Sequence, residues 1–168
     1  MTRATRSALV ALALCGTSLA PAWAGGLREL DQTIFGMDCA PCAAGVEAGL
    51  RKLHGVRSVR VSLNEGKAVV TLTPESQTTV AQIREVVLHN GFTPKEARAT
   101  LVGRVTSEGD RLWIEMGSER FILEGDRTML QSRAIAKGTD QELTLSVHIP
   151  ETLQSPPAVQ LIAPGQSG

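Results

Sequence analysis

A chain of 168 residues with 42% hydrophobic side chains and only 3% aromatic ones has room for one or two small domains. Its 17 basic and 17 acidic residues cancel, which removes the electrostatic argument for a nucleic acid or an anionic membrane surface as partner.

The first 24 residues read as a cleaved leader rather than part of a fold. Arg3 and Arg6 form a basic start, Ser7 to Leu19 is apolar, and Ala22-Trp23-Ala24 has the small-x-small pattern of a signal peptidase site. The apolar stretch falls short of the ~20 residues that cross a bilayer, and Pro21 interrupts it. Cys15 follows Leu14, where a lipoprotein signal needs a small residue, so it leaves with the leader. The expected product begins at Gly25 and is soluble and monomeric. It would be periplasmic or secreted, with no stable membrane insertion after cleavage. Its cysteines are then Cys39 and Cys42 alone, which leaves no disulfide framework elsewhere.

From Gly25 to about Ala99 the pattern predicts a βαββαβ unit. Gln32 to Phe35 ends a first strand and runs into Gly36-Met37-Asp38-Cys39-Ala40-Pro41-Cys42. From Cys42, Val46, Leu50 and Leu53 recur at helical spacing up to His54-Gly55, and Gly45 and Gly49 weaken that helix by up to ~1 kcal/mol each. Val59, Val61 and Leu63 alternate with polar residues as a strand, Asn64 to Lys67 turns the chain, and Ala68 to Thr73 is the partner strand. Thr79 and Gln82 form a capping box ahead of a second helix carrying Val80, Ile83 and Val87, which Gly91 ends. Phe92 to Ala99, with Pro94, reads as a last, edge-like strand. This order is a ferredoxin-like sandwich within an α+β chain.

The spacing places both motif sulfurs together at a loop and a helix N-terminus, where unpaired N–H groups and the dipole favour thiolate over thiol. Thiolates so placed bind soft metal ions or exchange disulfides, and the spacing alone leaves both open, along with a purely structural disulfide. Two thiolates at one loop give near-linear coordination, which suits Cu(I) and Hg(II). Structural zinc takes four closed ligands, and only two such thiols are present. Asp38 either adds a third, harder ligand that shifts preference toward Zn(II), Cd(II) or Pb(II), or is a solvated loop residue or helix cap.

The stretch Gly36-Met37-x-Cys39-x-x-Cys42, its helix, the strand pair around Gly55-Val56 to Leu72, and Asn90-Gly91-Phe92 together resemble the heavy-metal-associated domain family. That family includes copper chaperones, periplasmic mercuric-ion-binding proteins and domains of metal-pumping P-type ATPases. The resemblance covers roughly residues 27 to 99. It implies metal binding by Cys39 and Cys42, with Met37 packed under the loop and Phe92 shielding the site. It also implies transient docking to a metal-transporting membrane protein or P-type ATPase.

The rival use of the pair, as a thiol–disulfide oxidoreductase, lacks an aromatic residue before Cys39 and the longer βαβ context of thioredoxin-like chains. His54, His89 and His148 lie far from the cysteines in sequence and read as structural. No Ser/His/Asp order or paired-carboxylate cleft points to an enzyme.

Residues 100–164 turn to mostly strand. Leu101 to Thr106, Leu112 to Met116 and Phe121 to Leu123 are three strands, and Thr128 to Lys137 a short helix. Leu143 to Ile149 and Val159 to Ala163 are two further strands. That order predicts a small OB-like barrel, with a plain β-meander as the alternative. OB folds often bind single-stranded nucleic acid through aromatic platforms and basic grooves. Here only Trp113 and Phe121 are aromatic and acids interleave with bases, so a stabilising or docking module is expected instead. Residues 165–168 read as a disordered tail.

Overall fold

Strand β1 (Gly26–Phe35) turns Leu30, Gln32 and Ile34 inward and leads into helix α1 (Ala40–Leu50). These elements belong to a computed structural model that describes residues 25–117, 119–125, 128, 142–153 and 155–162. Strands β2 (Val56–Ser62) and β3 (Lys67–Leu72) follow, then helix α2 (Val80–His89) and strand β4 (Thr93–Glu108). The predicted βαββαβ order is thus observed, with neighbouring strands antiparallel in the order β2-β3-β1-β4.

The helices form where their ends are satisfied. Thr79 accepts from the Gln82 N–H at 3.2 Å while the Gln82 side chain accepts from the Thr79 N–H at 2.9 Å, which is the predicted capping box. Asn90 closes α2, and Gly91 leaves it with φ +85°. Helix α1 keeps its two glycines for packing. A Cβ on Gly49 would lie 2.7 Å from Val86 Cγ1, and one on Gly45 would lie 3.0 Å from Asn90 Oδ1. The lost helix propensity is what lets α1 and α2 approach so closely.

The expected edge strand ending at Ala99 is corrected by the structure. Strand β4 runs 16 residues and is paired on both flanks. Its inward parity stays small or apolar through Ala97, Ala99, Leu101, Gly103 and Val105, and no turn residue interrupts it. Pro94, which has no N–H to donate, sits next to a register irregularity against β1, between Gln32 and Ile34. The chain therefore crosses residues 99 and 100 inside one strand, without a linker.

Beyond β4 come β5 (Arg111–Met116), β6 (Glu119–Glu124), β7 (Glu142–Ile149) and β8 (Ala158–Leu161). The pairings run β4-β5-β6-β8-β7 and return from β7 to β4, so the five strands close into a barrel. Among the described strands, β6 and β8 are the one parallel pair. Closure rules out the open meander, because β4 meets β5 on one flank and β7 on the other. Leu101, Val105, Ile114, Phe121, Leu145 and Val147 continue the same core that holds Leu30, Val46, Ile83 and Val87. The predicted leader and tail lie outside the described residues, as does the predicted helix apart from Thr128.

Candidate metal centre

The motif loop occupies the turn from β1 into α1. Gly36 has φ +88°, a conformation that favours glycine, and its missing side chain would face Phe92 Cδ1 at 3.9 Å. Met37 is buried in the core, at 6% exposure, and Phe92 is half-buried against that core. Phe92 thus lies beside Gly36 at the start of the motif.

Cys39 is the N-cap of α1. Its backbone is extended (φ −130°, ψ 145°), and its Sγ accepts the Cys42 N–H at 3.2 Å. The cap is thus a sulfur, and Asp38, one residue earlier, stays exposed outside the helix. Pro41 lies in the first turn, where its missing N–H costs nothing, and no acidic residue there opposes negative charge on sulfur.

The sequence reading needs two free thiols. The structure brings the sulfurs closer still, joined as a disulfide across a Cα–Cα distance of 5.1 Å. Both cysteines are half-buried, with Cys42 packed against the core. Ligand atoms of Asp38, Cys39 and Cys42 lie within 4.8 Å of one another. Two-electron reduction would convert this corner into two sulfur donors with a carboxylate beside them, open to solvent on one side.

Among the described residues no histidine joins this group. The His54 carbonyl accepts from the Ser76 and Thr78 hydroxyls at 3.1 and 2.6 Å, and His89 Nδ1 lies 2.9 Å from the Glu85 carbonyl. The cavity of about 510 Å³ between Arg111, Ile122, Glu124 and Pro156 is on the barrel, away from the motif.

Sequence reasoning missed the neighbourhood of Phe35. This ring is 68% exposed next to the motif, the Lys95 ammonium sits 5.7 Å from its centroid, and Lys95 pairs with Glu151 at 2.8 Å. It also missed buried Gln32 and Arg84. Their signal was present, since Gln32 shares the inward parity of Leu30 and Ile34, and Arg84 follows Val80 by one helical turn.

The site is thus a loop-held cysteine pair on a βαββαβ sandwich, with an exposed carboxylate beside it. Residues 33–93 match the family model described as the heavy-metal-associated domain, and this segment is such a domain. A curated relative, the copper-transporting ATPase RAN1 of Arabidopsis thaliana, is 34% identical over 89 residues, which is 50% of this chain and 9% of that protein. The match thus spans under a tenth of the ATPase. Among solved structures, a CopZ metallochaperone is 27% identical and covers 39% of this chain and 97% of its own, with a TM-score of 0.37. Oxidized MerP from Ralstonia metallidurans CH34 is 25% identical, with coverages of 41% and 94% and a TM-score of 0.38.

Proposed function

We propose that the chain is an exported, soluble metallochaperone or scavenger that holds one soft metal ion between the Cys39 and Cys42 thiolates and passes it to a membrane transporter or efflux partner. The observation that carries this reading is the convergence of two sulfurs and a carboxylate within 4.8 Å on an outer loop. Two thiolates favour Cu(I) or Hg(II), and participation of Asp38 would extend the range toward Zn(II), Cd(II) or Pb(II). Because the loop is open, a partner's thiols can add to the ion before either cysteine leaves it. The likeness to a copper-transporting ATPase supports copper as cargo and a P-type ATPase as docking partner. The leader pattern supports a periplasmic or secreted location.

The barrel, read as OB-like from its strand circuit and its parallel β6–β8 pair, serves as a stabilising or docking module. Its two aromatic rings are both covered. Phe121 is 2% exposed, and Trp113 lies beneath Arg120, whose guanidinium carbon is 3.8 Å from the ring centroid.

A second reading, thiol–disulfide exchange, is favoured by the disulfide itself. Anaerobic titration of the reduced protein with Cu(I), Hg(II) and Zn(II) separates the two. A carrier binds one equivalent tightly, loses it in the Cys39→Ser, Cys42→Ser double variant, and reduces no protein disulfide catalytically. Tight binding retained by the double variant would overturn the site. Catalytic disulfide reduction without metal binding would establish the exchange reading. Asp38→Asn should weaken Zn(II) binding ~10-fold and leave Cu(I) unchanged if its carboxylate is a ligand.

A further inference from the structure

Gly25 stands at a joint in the sheet. Strand β1 pairs with one flank of β4 up to Gly26, opposite Val102, and β5 takes up β4 at Arg104, opposite Glu115. Gly103 falls between these two partners, and Gly25 packs against it. A Cβ on Gly25 would lie 3.1 Å from the Val102 carbonyl oxygen, 3.6 Å from Gly103 Cα and 3.7 Å from Met116 Cα. Beside this joint is a cavity of about 250 Å³ lined by Gly25, Gly103, Arg104, Glu115, Gly117 and Glu142.

Among the described residues, the charges lining it are uneven. Arg104 is in register with Glu115 on one side and Glu142 on the other, and all three line the cavity. Arg120, also in register with Glu115, instead reaches Glu108 at 2.9 Å. The Thr106 hydroxyl, 3.3 Å from Glu115 Oε1, contributes no charge.

We propose that this cavity seats the α-ammonium group created on Gly25 when the leader is cut after Ala24. The inference rests on the export reading. A signal peptidase of the exporting cell would add water across the Ala24–Gly25 peptide bond, leaving a carboxylate on the leader and an ammonium on Gly25. Before the cut, the Gly25 nitrogen is a neutral amide. After it, the cavity lining sets the ammonium and Arg104 against Glu115 and Glu142, at the point where β1 gives way to β5. Processing thereby closes the joint between the metal domain and the barrel.

The test starts from the full chain expressed with its leader in an exporting bacterium. Mass spectrometry of the exported product should show Gly25 as the first residue, and a product starting elsewhere overturns both the processing reading and the proposal. In a product that starts at Gly25, the α-amino group should titrate ~1 unit above its ordinary value of about 7.7–8.0, because two carboxylates favour its charged form over the opposing Arg104. Glu115→Gln with Glu142→Gln should return it to the ordinary range, and selective α-acetylation should lower the melting temperature by ~2–4 °C only when both glutamates are present. An ordinary titration together with no effect of acetylation would overturn the ammonium seat while leaving export intact.

Discussion

Arg84 Nε donates to Gln32 Oε1 at 3.1 Å, joining α2 to β1 inside the protein. The rest of the guanidinium reaches the Lys95, Pro150 and Glu151 carbonyls at 2.9–3.1 Å, and Gln32 Nε2 donates to the Lys95 carbonyl at 2.8 Å. One side chain of the metal domain thus holds the chain where it leaves β7. Burial pulls the Arg84 pKa below its ordinary value, and Glu151 works in the opposite direction. The group remains charged, and its planar fork matches several carbonyls at once.

Replacing Arg84 with Leu leaves buried Gln32 Oε1 and three part-buried carbonyls without this donor and should cost ~3 kcal/mol in denaturant unfolding. Arg84→Lys, a single point donor, should recover less than half of the loss. A change below ~0.5 kcal/mol for Arg84→Leu would show that the carbonyls find water and that the tie is not structural.

Gly49→Ala sets two effects against each other. The helix gains up to ~1 kcal/mol of propensity, while the new methyl meets Val86 Cγ1 at 2.7 Å. A β-branched side chain packed between helices gives way poorly, so a net loss of ~1–2 kcal/mol is expected. Adding Val86→Ala should return part of it. A Gly49→Ala protein more stable than the parent would mean that α1 moves away freely.

Glu119, desolvated at the start of β6, has its pKa raised from 4.5 to about 6. Between those values the folded state holds a proton that the unfolded state has released, so this residue's contribution is full below pH 4.5 and is lost as pH rises through about 6. The melting temperature of the Glu119→Gln variant should therefore gain on that of the parent by ~1–3 °C from pH 4.5 to 7. A constant difference between the two proteins over that range would contradict the desolvation.

Local pattern carried the metal domain far. The capping box at Thr79, the left-handed Gly91 and the alternation of β2 and β3 each depend on near neighbours, and all are present. The motif lies in a loop because Gly36 and the following Cys39 cap dictate it within four residues. The barrel strands were also legible by parity, but their closure was not, since the β4–β7 register joins Ala97 to Ile149 across 52 positions. Gln32 and Arg84 stood on apolar faces without a visible reason, because each one's partner is distant in sequence.

The sequence by itself determined helices α1 and α2, most strands and the cysteine loop, because periodicity, caps and a Cys-x-x-Cys spacing act over a few residues. Only the tertiary structure decided that β4 runs unbroken from the metal domain into the barrel, that Gly45 and Gly49 serve helix contact, and that Arg84 ties α2 to the end of β7. Those outcomes depend on contacts between segments that no local pattern brings together. They are settled when distant backbones compete to satisfy the same buried hydrogen bonds and fill the same core.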